Sequence, residues 1–228
     1  MLYNVVVNDW GETTYVPTTL GNVLLIAVII VLLSLAILFA KKRIDASAAT
    51  GGKLTAKQLA FCAVSMALGI VLSNIKLFHF PTGGSITLFS MLVICLPGYW
   101  FGTGVGILTG VAYGLLSLVI DPYVLYPMQL VVDYILAFGA LGLSGLFCNS
   151  KHGLIKGYAA GVLGRYVFAV LSGWIFFGSY AWDGWGALPY SLVYNAIYIF
   201  AEAAITVVVL ALNPVENLMV QIRRMATE

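Results

Sequence analysis

Residues 190–211 read YSLVYNAIYIFAEAAITVVVLA, 22 positions with a single charge, Glu202. Crossing a hydrocarbon layer of about 30 Å at 1.5 Å per residue takes about 20 apolar residues, so this stretch is expected to be a transmembrane helix. Similar runs lie at 20–40, 58–75, 86–101, 103–120, 128–147 and 157–178, separated by loops rich in Gly, Pro and Asp. The whole chain of 228 residues is 61% hydrophobic and 9% charged, where a soluble domain carries about 25% charge. The expectation is an all-α integral membrane protein of seven spans with no separate soluble domain.

The 20–40 run is followed by Lys41, Lys42 and Arg43, while residues 1–19 contain no Lys or Arg. A cleavable signal has the opposite order, so the segment reads as a retained helix. Small and polar residues then mark a linker over 41–57. Alternating the spans from an outer N-terminus places Lys41, Lys42, Arg43, Lys53, Lys57, Lys151, Lys156, Arg223 and Arg224 inside and Lys76 alone outside. That bias predicts N-out and C-in, with residues 1–19 extracellular, a membrane domain over 58–212 and a cytoplasmic tail over 213–228. The net charge of +2 is too small and scattered for nucleic-acid binding. Cys62, Cys95 and Cys148 show neither CxxC nor metal-ligand spacing, so no metal, cofactor or disulfide framework is expected. No GxxxxGK[ST] occurs, so ATP hydrolysis by this chain is not expected.

Ionisable groups within spans are costly and mark candidate sites. Asp133 falls six residues after Pro127, about 9 Å below the outer boundary, with Gln129 one turn above it. Arg165 and Glu202 fall at similar depths, about 12 and 15 Å from the inner side, and are expected to form a structural ion pair. Asp133 has no basic residue at its depth. Tyr190, Tyr194 and Tyr198 recur every four residues, and Asn195 and Tyr198 share a stripe with Glu202. With Trp174, Phe176, Phe177, Tyr180, Trp182 and Trp185 near the same end, these groups suggest a pocket for a flat, cationic, heteroaromatic solute. Rings would hold it by stacking and cation–π contact, and Asp133 would compensate its charge. Taken singly, each ring is better explained by a lipid-facing place, by core packing or by an outer aromatic belt, and the pocket rests on their coincidence with Asp133 and Asn195. His79 and His152 fall in loops and read as solvated.

Four stretches carry a family resemblance: 81–91 (PTGGSITLFSM), 129–142 (QLVVDYILAFGALG), 165–181 (RYVFAVLSGWIFFGSYA) and 191–198 (SLVYNAIY). In order and spacing they resemble the substrate-binding membrane subunits, or S components, of energy-coupling factor vitamin transporters, in their thiamin-specific branch. The resemblance covers 54–212 and implies a six-helix core, here preceded by one extra N-terminal helix. It implies capture of a vitamin from outside, then tilting in the bilayer, driven by a membrane scaffold subunit and two ATP-binding subunits. Ala60, Ala63 and Ala67 resemble the family's scaffold-contact face, and the loop 76–86 its gate. The family's acidic-Tyr pair falls on Asp133 and Tyr134, with Asp for Glu. Its last-helix Tyr and Asn fall on Tyr190 and Asn195, and its loop Tyr on Tyr123. Ala169 stands where the branch has His in Arg-x-x-x-His, and Phe177 where it has Trp.

The expected function is therefore thiamin capture for a multisubunit importer in the plasma membrane, through Asp133, Tyr134, Tyr190, Asn195, Tyr123, Phe177, Gln129 and Tyr198. A pyridoxine-type vitamin or hydroxymethylpyrimidine is the related alternative. A solitary proton-coupled carrier, with Asp133 as proton site and Arg165–Glu202 as switch, is more remote because no internal repeat is visible. An intramembrane metalloprotease would need HExxH, which is absent, so an enzyme is not expected.

Overall fold

The protein is described by a computed structural model over residues 3–7, 13–20, 23, 55–80, 84–120 and 125–228. Most of the expected first helix (20–40) and of the linker (41–57), together with Asp121 and Tyr123, lies outside the described residues. Two short hairpins add β-structure to the expected all-α architecture. Strands β1 (Tyr3–Val7) and β2 (Thr13–Pro17) pair antiparallel. Strands β3 (Lys76–His79) and β4 (Ser85–Thr87) form the second antiparallel pair.

The membrane domain begins at α1 (Ala56–Asn74). Thr55 starts it by a reciprocal cap: its Oγ1 accepts from the Gln58 amide at 3.2 Å, while Gln58 Oε1 accepts from the Thr55 amide at 3.0 Å. Cys62, Ser65 and Gly69 face inward, and Ala60, Ala63 and Ala67 face outward. Then follow α2 (Ser90–Phe101), α3 (Thr103–Ile120), a composite α4, α5 (Gly153–Phe176), α6 (Ala187–Leu210) and α7 (Asn213–Thr227). The α4 segment runs as one α-turn (Pro127–Gln129), a π-helix (Leu130–Leu136), an α-turn (Ala137–Ala140) and a 3-10 stretch (Leu141–Phe147). Five of these helices are long and apolar enough to cross a bilayer, and α2 is a shorter apolar sixth. These six correspond to the six apolar runs read after residue 57.

Helix α2 is the centre of the bundle, with eleven of its twelve residues buried. At 1.5 Å per residue it reaches about 18 Å and cannot span the layer alone. Its N-terminus therefore begins inside the protein, directly after the β3–β4 hairpin, and its leading N–H groups need acceptors there. Phe89 at the cap adopts φ 56° and supplies no side-chain bond.

Glu202 supplies the acceptors. One carboxylate oxygen accepts from the Met91 amide at 3.0 Å and Ser90 Oγ at 3.2 Å. The other accepts from Thr87 Oγ1 at 2.5 Å and the Thr87 amide at 3.3 Å. Negative charge also suits the positive end of the helix dipole. This corrects the expected Arg165–Glu202 ion pair, since no contact within salt-bridge distance joins them. The Arg165 guanidinium instead lies 4.4 Å from the centroid of the Phe138 ring, a cation–π contact. Equal depth in the bilayer brought the two charges to one level but not to one azimuth. Glu202→Gln is expected to destabilise the protein by about 2–3 kcal/mol, through the charge-assisted bonds lost at the helix terminus. A double-mutant cycle with Arg165→Gln should give a coupling under about 0.5 kcal/mol, read from thermal unfolding in detergent. A coupling of several kcal/mol would restore the ion pair.

Helices α3 and α4 run antiparallel at close range. Small residues meet backbone along the seam: Thr103 against Gly145, Gly106 against Gly142, Gly110 against Phe138 and Gly139, and Gly114 against the Tyr134 carbonyl. Such contacts bring helix backbones together where lipid offers no hydrophobic drive. The 3-10 stretch, more tightly wound than an α-helix, occupies a slot bounded by Gly98, Gly106 and Gly157. Residues 213–228, expected as a tail, form α7 instead. Val215, Met219, Ile222 and Ala226 pack on the core, and Arg223 lies over the Tyr99 ring while donating to its hydroxyl at 3.2 Å.

Candidate functional site

The last long helix builds one wall of the site. Tyr190, Tyr194 and Tyr198 form a row along α6, the first pair tilted and the second edge-to-face, with centroids 5.2 and 6.0 Å apart between successive rings. The β3–β4 hairpin closes over them: Phe80 lies 5.6 Å from Tyr194 and 6.3 Å from Tyr198. Gly84 turns the hairpin at φ +79°, where a Cβ would meet the Tyr198 ring at 3.0 Å. Between α5 and α6, Trp182 packs on Tyr190 at 5.2 Å. Helix α5 forms the second wall through Ala169, Ser172 and Gly173, with Phe177 at its C-cap, and α4 contributes Asp133. Gly173 allows α5 and α6 to touch, because a side chain there would strike Ser191 Oγ and the Asn195 amide.

Together these groups line a cleft of about 110 Å³ that is open to the surface, lined also by Gly84, Tyr180, Tyr190, Tyr194, Asn195 and Tyr198. Its mix of rings with a few polar groups suits a small heteroaromatic solute. Asn195 Nδ2 donates to the Ser191 carbonyl at 2.8 Å and to Ser191 Oγ at 3.1 Å. Its Oδ1 accepts from the Tyr198 hydroxyl at 2.6 Å. The Asn195 amide and the Tyr198 hydroxyl thus donate within the protein, and the hydrogen-bonding capacity left to them is that of oxygen acceptors. With the Asp133 carboxylate the lining is rich in acceptors, an environment for a cation or for N–H donors.

The structure brings five of the expected binding residues to the cleft: Asp133, Phe177, Tyr190, Asn195 and Tyr198. Two go elsewhere. Tyr134 lines a second cleft with Ile70, Ser73, Asn74, Tyr113, Ser117 and Phe138. The π-helical turn, with i→i+5 bonding, fixes which neighbours face which side of α4, and it sends Asp133 and Tyr134 to opposite sides. Gln129 is 1% exposed and does not line the cleft. Its Oε1 accepts from the amides of Leu125 at 2.7 Å and Tyr126 at 3.4 Å, holding the loop that leads into α4, while its side chain also bonds to Asp133. It is a supporting group for the carboxylate. Tyr123 lies outside the described residues. Sequence reading passed over Ser172, whose signal was a hydroxyl inside an apolar span one turn from Ala169.

A bundle of apolar helices around a ring-walled cleft lined by the Asp133 carboxylate defines a multi-pass membrane protein. The chain matches the family model "Thiamine transporter protein (Thia_YuaJ)" over residues 59–221 and belongs to that family. It is 33% identical over 166 residues to the thiamine transporter ThiT of Bacillus subtilis (strain 168), covering 66% of this chain and 86% of that protein. A solved structure of ThiT from Listeria monocytogenes superposes with a TM-score of 0.58 at 28% identity, covering 69% of this chain and 94% of that one. The family is one of transporters, and five helices of this chain are long and apolar enough to cross a membrane. The protein is therefore a multi-pass protein of the cell membrane.

Proposed function

We propose that the chain captures thiamin from the outer side as the substrate-binding subunit of an energy-coupling factor importer. The observation that carries this reading is the Asp133 carboxylate lining a ring-walled cleft in a member of the thiamine transporter family. Thiamin unites a permanent thiazolium cation with an aminopyrimidine. Rings such as Tyr190, Tyr194 and Phe177 suit both of its heterocycles, while Asp133 answers the positive charge. Tyr190, Asn195 and Tyr198 complete the binding set.

Delivery follows by tilting of the subunit within the bilayer. A membrane scaffold subunit contacts the outward face of Ala60, Ala63 and Ala67, and two ATP-binding subunits supply the energy. Small residues spaced three and four apart on an outward face support that contact. In this reading the chain sits N-out and C-in, with the apolar run 20–40 an expected addition to the six-helix core.

Purified protein in detergent, titrated calorimetrically, should bind thiamin about 100-fold more tightly than hydroxymethylpyrimidine or pyridoxine, because these lack the thiazolium charge. Equal affinity for a neutral ring would overturn the choice of vitamin. Thiamin uptake by vesicles holding this protein alone, with no ATPase, would overturn the multisubunit reading.

A further inference from the structure

The β1–β2 hairpin lies outside the family match over 59–221, yet it folds onto the part of the chain that shapes the cleft. A lone two-stranded hairpin is marginal in water and needs a neighbouring element to pack against. Here β2 packs against α5 and against Gly178–Tyr180, the 3-10 turn that follows α5. That turn forms an edge of the cleft. Phe177 at the C-cap of α5 and Tyr180 both line it, with ring centroids 6.1 Å apart. Tyr180 is 40% exposed, so this edge stands at the surface opening. Two local backbone bonds hold the turn, from the Tyr180 amide to the Phe177 carbonyl at 3.1 Å and from the Ala181 amide to the Gly178 carbonyl at 3.2 Å. Bonds of a 3-10 turn have poorer geometry than those of an α-helix, so the place of this one depends on what packs around it. Helices α5 and α6, the cleft's two walls, touch it, and so does β2.

We infer that the β1–β2 hairpin is a further element of the ligand-binding apparatus: by bracing Gly178–Tyr180 it holds the Phe177–Tyr180 edge of the cleft in place and slows escape of the bound solute. A short turn with few contacts opens locally at low free energy. Each opening of this edge would withdraw two rings from the ligand, and affinity in such sites is set mainly by the rate of release. The choice of thiamin as probe rests on the functional reading above; the bracing itself does not.

The test uses the full-length protein in detergent with Val5→Pro and Val6→Pro together. Neighbouring residues of a strand point their N–H groups to opposite edges, so one of the two prolines removes a ladder donor while β2 keeps its own sequence. Without ligand, hydrogen exchange at the Tyr180 and Ala181 amides should quicken about tenfold, with exchange in the middle of α5 and α6 unchanged. Thiamin release, followed by stopped-flow fluorescence, should quicken about tenfold. Tyr180→Ala should also speed release, and the proline pair added to it should change little further, because both act on one edge. Unchanged exchange at Tyr180 and Ala181 would overturn the bracing, and faster exchange throughout α5 and α6 would make the hairpin a general support of the fold. Unchanged thiamin release, or effects of the prolines and Tyr180→Ala that multiply in full, would overturn the role in ligand retention. A parent protein that binds no thiamin overturns the functional reading, and the ligand-free exchange still decides the bracing.

Discussion

Asp133→Asn should lower the affinity for thiamin by about 100-fold or more while leaving the fold intact. The substitution keeps size and shape but removes the charge that opposes a cationic ligand. Breaking a desolvated charge pair costs about 2–5 kcal/mol, and each 1.4 kcal/mol is a factor of ten. Gln129, which bonds to Asp133 from within α4, remains compatible with an amide partner. Hydroxymethylpyrimidine, which carries no permanent charge, should lose less than about tenfold in the same variant. Titration calorimetry on both proteins with both ligands separates the charge contact from general damage to the cleft. Equal thiamin affinity in the two proteins would refute the electrostatic account.

The second large effect is structural and falls at Gly114→Ala. A Cβ at Gly114 would occupy the position of the Tyr134 carbonyl oxygen, with the carbonyl carbon behind it at 2.7 Å. Both obstructing atoms are backbone, so no rotamer change relieves the overlap, and α3 and α4 must move apart. Overpacking of this kind costs about 3 kcal/mol or more when no side chain can yield. The displaced segment is the π-helix that carries Asp133, so ligand binding should fall with stability. Gly139→Ala is the matched control. Its Cβ would meet Val111 Cγ2 at 3.1 Å, a side-chain end that can shift by a few tenths of an ångström, and it should cost about 1 kcal/mol or less. Size-exclusion profile and thermal unfolding in detergent distinguish the two. A Gly114→Ala protein as stable as Gly139→Ala would show that the seam is looser than described.

The resemblance at 129–142 led to Asp133 but misassigned its neighbours, and the reason lies in the helix itself. Side-chain directions inferred from a regular α-helix hold along α6, where Tyr190, Tyr194 and Tyr198 do form one stripe. They fail along α4, where four kinds of turn follow one another between Pro127 and Phe147. No periodicity in the residues announces the π-to-3-10 succession. Its cause is the close backbone of α3 on one side and of α2 and α5 on the other. Ser172 was passed over for a related reason: serines are common in membrane helices, and only the folded state shows that this one lines the cleft beside Asp133.

The sequence by itself determined the class of protein, the positions of six helices after residue 57, and the candidacy of Asp133, Arg165 and Glu202. It could do so because a bilayer imposes a local rule: about 20 apolar residues in a row, with each charge an exception that needs a reason. Only the tertiary structure decided how those exceptions are resolved. Glu202 caps a helix that begins inside the protein, Arg165 rests on Phe138, and Asp133 faces the cleft with Ser172 beside it. Depth can be counted along one chain segment, whereas a partner depends on azimuth and on which segment packs opposite, and those are properties of the whole bundle.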